Sequence, residues 1–116
     1  MAYEEELAER VRRALAHLPE VEEKRMFGGL AFLVHAKMCV NVSGDGGLMC
    51  RIDPAQHEEA VARSGVSTVT MRGREYLGWV RVEAAALRSA KELNHWVKLT
   101  LDFNGRAKSS KESAGQ

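Results

Sequence analysis

KRMFGGLAFLVHAKMCVNVSGDGGLMCRID, residues 24–53, decides the fold. Leu30, Phe32 and Val34 fall on one side of an extended strand, with Ala31 and Leu33 on the other. Met38, Val40 and Val42 then alternate with Lys37, Cys39 and Asn41, and Leu48, Cys50 and Ile52 alternate with Met49, Arg51 and Asp53. Period-two alternation, β-branched enrichment and turn residues between the runs predict consecutive half-buried strands. His35-Ala36 falls where a two-residue hairpin loop belongs, although neither residue favours positive φ as Asn-Gly would. The second turn, Ser43 to Gly47, is rich in residues that tolerate positive φ. A three-residue loop over Gly44 to Gly46 puts a glycine at the left-handed bulge position. It pairs Val42 with Leu48, Val40 with Cys50 and Met38 with Ile52, collecting the aliphatic residues on one face. The same register sets Cys39 opposite Arg51, on the other side of the sheet from Cys50, so the two thiols are expected to stay apart and unbridged.

Helical patterns lie outside this stretch. Residues 3–18 carry Leu7, Val11, Ala14, Leu15 and Leu18 on one stripe, with glutamates in the first turn, arginines later, and Pro19 as the stop. Val21 to Met26 alternates but is charged, which predicts an edge strand. Phe27-Gly28-Gly29 then marks a bend. A phosphate-cradling loop would need a helix to follow, and a strand follows instead. Asp53, Pro54 and Gln56 predict a short helix start, ended by Gly65, whose apolar face is thin and whose His57 is expected at the surface. Val66 to Met71 and Tyr76 to Val82 predict a second hairpin joined through Arg72 to Glu75. Residues 84–103 predict the longest helix, with Leu87, Ala90, Leu93, Val97 and Leu101 on its stripe and Trp96 as a core anchor. Residues 106–116 are too polar to pack and are expected to form a disordered tail after a single domain over 1–105. The expected fold is therefore α+β, in the order α-β-β-β-β-α-β-β-α, with an antiparallel sheet.

With 116 residues, 45% hydrophobic and 28% charged, the chain can build one core without disulfides or metal. A net charge of +1 gives no global attraction to nucleic acid, and no run is long enough to span a membrane. Two cysteines expected apart suit a reducing cytoplasm. Lys24, Arg25, Arg51, Arg72 and Arg74 form the candidate basic patch of a nucleic-acid reading. His17, His35, His57 and His95 sit on separate elements without metal-ligand spacing, so neither metal nor cofactor is expected. A small enzyme using Cys39 and His35 ranks last, since nothing in the sequence supplies a base within reach or an oxyanion site. A two-residue loop at His35-Ala36 pairs Leu33 with Met38 and Phe32 with Cys39, which leaves both hairpin faces partly apolar. Leu30, Phe32, Val34 and Cys39 are accordingly the candidate interaction surface, for a protein partner or a second copy of the chain.

Lys24-Arg25-Met26-Phe27-Gly28-Gly29, followed by Phe32 and a hairpin, resembles the opening of the TfoX/Sxy N-terminal domain family. Gly78-Trp79-Val80, followed by a helix carrying Leu93 and Trp96, is similar to that family's C-terminal half. The resemblance runs from about Tyr3 to Asn104. It implies a two-layer domain like that of secretion chaperones, and a link to transcriptional co-regulation of natural competence beside a DNA-binding activator. Those longer proteins carry a second domain. A stand-alone domain of this kind is expected to be a non-enzymatic regulatory or protein-interaction module, without specific DNA binding of its own.

Overall fold

Glu4 starts the first helix by accepting the backbone N–H groups of Glu6 and Leu7 on its carboxylate. The computed structural model of the chain describes residues 4–26 and 28–105. Phe27, the expected helix start at Tyr3 and the expected tail at 106–116 lie outside the described residues. Helix α1 (Glu5–Ala14) buries Leu7, Ala8 and Val11, with Glu5 and Glu6 at its positive end and Arg12 and Arg13 at its negative end. It is shorter than the stripe suggests, because Leu15 to His17 close it as a turn.

Six strands follow: β1 (Val21–Met26), β2 (Gly29–Val34), β3 (Lys37–Val42), β4 (Leu48–Arg51), β5 (Val66–Met71) and β6 (Arg74–Val82). They form one antiparallel sheet in the order β1-β2-β3-β4-β6-β5. Between β4 and β5 a 3-10 turn (Pro54–Gln56) leads into α2 (His57–Val61), with the Asp53 carboxylate accepting the Ala55 N–H. The last helix begins later than expected. Residues Ala84–Leu87 form a separate 3-10 turn, and Ser89 with Glu92 makes a reciprocal capping box for α3 (Ala90–Asn104).

The β3–β4 register is the expected one at Val40 opposite Cys50 and Val42 opposite Leu48, and Gly46 takes the left-handed position at φ +85°. The expected Met38–Ile52 pair does not form: Met38 lies on the opposite face from Ile52. His35 and Ala36 both adopt positive φ, 52° and 65°, so the hairpin turn is of the primed type despite its composition. The β2–β3 pairing departs from expectation. Leu33 faces Met38 as anticipated, but Phe32 pairs with Val40 and not with Cys39. Cys39 is the extra residue of a β-bulge, and a bulge turns the strand beyond it by one residue.

That bulge sorts the faces. Leu30, Phe32, Val34, Val40, Val42, Leu48, Cys50, Ile52, Val80 and Val82 all join Leu7, Val11, Leu15, Ala60, Leu87, Leu93, Trp96 and Val97 in one core. All three helices pack on this face. Cys39 comes to the same core, which corrects the expectation of cysteines on opposite faces; both are free thiols. On the opposite face, among the described residues, a smaller cluster of strand residues gathers: Ala31, Leu33 and Met38, with Met26, Met49 and Trp79 against them. No helix among the described residues is long and apolar enough to cross a membrane.

Candidate interaction face

Tyr76 and Trp79 differ by an odd number, so on a regular strand they would point to opposite sides. A bend in β6 brings them to the same side. Thr68 pairs with Val80 and the next residue, Val69, pairs with Tyr76, which leaves Leu77, Gly78 and Trp79 bulged out of the β5 ladder. Gly78 takes φ +88° there, and a Cβ on it would lie 3.1 Å from both the Ile52 carbonyl oxygen and Pro54. Its C=O accepts the Ile52 N–H at 2.8 Å, and its N–H donates to His57 Nδ1 at 2.9 Å. His57 Nε2 lies 2.8 Å from Thr68 Oγ1. Because Nδ1 accepts, Nε2 carries the proton and donates to the hydroxyl.

His57 is thus a buried latch, 4% exposed, and not the surface residue expected from its short polar helix. Replacing it with alanine leaves the buried Gly78 N–H without that partner, at a cost of roughly 1–3 kcal/mol, and also removes the bond to the half-buried Thr68 hydroxyl. The His57→Ala chain should unfold at lower urea concentration and show altered Trp79 emission. An unchanged midpoint would mean that the strands hold the bend unaided.

The latch shapes an open concavity of about 310 Å³ lined by Met49, Met71, Tyr76 and Trp79. Adjacent pairs extend it, with Met49 opposite Arg81 and Arg51 opposite Trp79. Arg51 is half-buried, its guanidinium carbon 5.4 Å from the Trp79 ring centroid and 5.8 Å from that of Phe103, a geometry for cation–π attraction to both. Arg81 pairs with Asp45 at the top of the face. At the other end Arg74 stands opposite Met71 and shares the face of Tyr76. Met26, Met38, Met49 and Met71 all lie on this side of the sheet. Unbranched, polarisable methionines suit a surface that adapts to an occupant. In the bulge itself Leu77 is 66% exposed, the large hydrophobic side chain most open to solvent among the described residues.

The residues expected to form the interaction surface lie elsewhere. Leu30, Phe32, Val34 and Cys39 are 5%, 0%, 2% and 1% exposed, beneath the helices. The more open apolar face is the opposite one, because the bulge at Cys39 returns Val40 and Val42 to the Phe32 side. The basic residues do not converge either. Lys24 and Arg25 lie on edge strand β1 and Arg72 and Arg74 at the tip of the β5–β6 hairpin on the far side of the sheet, four to five strand spacings or roughly 19–24 Å away. Arg51 lies between the two, held against its aromatic rings.

Cys39 and His35 do not form a pair. His35 Nδ1 meets Glu20 at 3.0 Å on an exposed turn, whereas the Cys39 sulfur accepts from Asn104 Nδ2 at 3.4 Å inside the core. Burial pushes the Cys39 thiol up to about 11 from its usual 9.0, away from the thiolate a nucleophile needs. Cys50 is raised further by burial and by its neighbour Cys39. Among the described residues no three metal-ligating side chains cluster.

The motif residues have structural explanations. Gly28 takes φ +71°, and a Cβ on Gly29 would come closer than 3.0 Å to Asn41 Oδ1 and the Val42 carbonyl oxygen. Asn41 in turn donates through Nδ2 to the Met26 carbonyl at 2.9 Å. Trp96 is a core residue, 2% exposed. The sequence reading left Met49, Met71 and Tyr76 out of any site, although the spread of methionines over four different strands was a signal available to it. A family model described as the TfoX N-terminal domain matches residues 13–104. No curated protein matches the chain.

Proposed function

The chain belongs to the TfoX N-terminal domain family, and from that premise we propose that it is a non-enzymatic regulatory module that holds a partner protein against the open face of its sheet. The observation that carries this reading is the open concavity of Met49, Met71, Tyr76 and Trp79, lined among the described residues by strand side chains, on the face opposite the main core. Aromatic and methionine side chains are enriched at protein interfaces, and tryptophan is the commonest anchor. The guanidinium groups of Arg74 and Arg81 at its two ends make the surroundings of the concavity basic, which favours carboxylates in an occupant. The partner is therefore an extended protein segment that presents apolar and acidic side chains together. The proposed setting is transcriptional co-regulation in the cytoplasm, of the competence type linked with the family, with DNA contacted by a separate activator. The division of the basic residues between two sheet edges supports that division of labour.

A synthetic extended peptide alternating leucine and glutamate is the probe. It should quench or shift Trp79 emission on titration, and Met71→Glu or Arg74→Glu should each weaken it about tenfold or more, a factor of ten being 1.4 kcal/mol. The same peptide with lysine in place of glutamate should bind far more weakly. Equal binding of the two peptides, or of neither, contradicts the reading. Duplex DNA should bind weakly and lose affinity with salt; tight, sequence-selective binding at physiological salt would favour a nucleic-acid role instead.

A further inference from the structure

Among the described residues strand β1 is one edge of the sheet, and its sequence is Val21-Glu22-Glu23-Lys24-Arg25-Met26. Its four central residues are exposed. Charged side chains ordinarily keep an edge strand from pairing. Here the order of the signs has a different consequence.

The Glu20 carbonyl accepts the His35 N–H at 3.3 Å, and the Met26 carbonyl accepts from Asn41, so even-numbered residues of this segment turn their backbone groups inward. Val21, Glu23 and Arg25 therefore turn theirs outward, since antiparallel ladders alternate. A second copy added antiparallel is related by a two-fold axis normal to the sheet, which keeps each face on its own side. Only residues of like parity can then stand opposite, and the strand can be centred on Glu23 or on Lys24. Centring on Lys24 sets two lysines face to face and opposes Glu22 to Met26. Centring on Glu23 sets Glu22 against Lys24 of the second copy, and Lys24 against Glu22, both on the open face. It also brings the outward residues opposite one another, Val21 with Arg25 and Glu23 with Glu23, giving six main-chain bonds.

The two glutamates at the axis are already neutralised. Each Glu23 carboxylate takes both Arg12 Nε and Arg12 Nη2 at 2.7 Å, and Arg25 of the other copy falls on the diagonal. Glu22 and Lys24, in contrast, have no ion-pair partner among the described residues of their own chain. The opposite edge, β5, offers no such charge pattern.

We propose that two copies of the chain pair β1 against β1 about Glu23, joining two six-stranded sheets into one continuous sheet. This surface is distinct from the methionine–tryptophan face, and the pairing stands or falls independently of what docks there. The interface is small, so the association is reversible and depends on concentration.

Analytical ultracentrifugation of the full chain tests it. The mass should rise from 12.9 kDa towards twice that with concentration, and fall back with added salt. Glu22→Lys sets lysine against Lys24 twice, and Lys24→Glu sets glutamate against Glu22 twice. Each should weaken self-association at least tenfold while circular dichroism stays unchanged, both positions being exposed. Mixed together, the two variants should associate with each other, because the mixed pair restores opposite charges at both positions. The double exchange Glu22→Lys/Lys24→Glu should self-associate like the parent. A parent that stays monomeric throughout, a dimer indifferent to Glu22→Lys, or two single variants that ignore each other on mixing would each overturn the proposal.

Discussion

Gly29→Ala should lower the stability of the chain by at least about 3 kcal/mol, from overpacking worth roughly 1–3 kcal/mol and a disturbed buried hydrogen bond worth a similar amount. The alanine Cβ would press on the Val42 carbonyl, which is main chain in the middle of the sheet, and on Asn41 Oδ1, whose amide nitrogen holds the Met26 carbonyl. Neither can retreat without loosening the β1–β2–β3 ladder. In a domain of this size such a loss lowers Tm by roughly 15 °C, measured by thermal denaturation. The neighbouring glycine provides the control. Gly28 sits at φ +71° with open space around its α-carbon, so Gly28→Asn, a residue that tolerates this region, should cost much less. Equal losses at the two positions would show that turn geometry alone explains the paired glycines.

Phe32→Asp should abolish folding. Phe32 is fully buried beneath the helices, and truncating such a side chain alone costs roughly 3–5 kcal/mol. A carboxylate left in its place, in a core with no cation to meet it, removes several more from a total of roughly 5–15 kcal/mol. The matched substitution on the other face, Met71→Glu, should leave a folded chain, since Met71 is only half-buried at the rim of the concavity. Circular dichroism of the two variants decides which face is core. A folded Phe32→Asp chain would reverse the assignment.

Which face is which was the point least legible in the sequence. All six strands, the two long helices and the β3–β4 register from Val40 to Cys50 could be read from alternation, glycine placement and helical spacing. The exchange of faces could not. It depends on one extra residue, Cys39, between Phe32 and Leu33 of the neighbouring strand, and a bulge of this kind has no local sequence mark. Reading the hairpin without it splits the aliphatic residues between faces and makes Phe32 look like surface. His57 was opaque for a related reason. Its partners Gly78 and Thr68 are 21 and 11 residues away, so a polar helix with one histidine looked solvated until the β6 bend closed over it. The primed turn at His35-Ala36 shows tertiary context overriding residue preference, since two strands of fixed twist impose positive φ on residues that do not seek it. The late start of α3 was legible and was missed: Ser89 and Glu92 have capping-box spacing, but the alanine run before them looked like continuous helix.

The two core thiols also carry a pH dependence. Burial raises both in the folded chain, so the folded state holds its thiol protons where the unfolded chain releases them. Their contribution is intact below about 9 and is lost as pH rises through the window from 9.0 to about 11 that Cys39 defines. Stability should therefore fall with alkali across that range, and less so in Cys39→Ser.

The sheet presents an open methionine–tryptophan face opposite a core that encloses both cysteines. Oxidation by dilute hydrogen peroxide, read by mass spectrometry of the intact native chain and its peptides, tests this arrangement most directly. Sulfoxide should form rapidly at Met49 and Met71 and slowly at Met38, with Cys39 and Cys50 untouched and with Met49 and Met71 protected when the leucine–glutamate peptide is bound. Oxidation of Cys39 or Cys50 ahead of Met49 and Met71 would contradict it, as would a peptide that binds and leaves both methionines equally reactive.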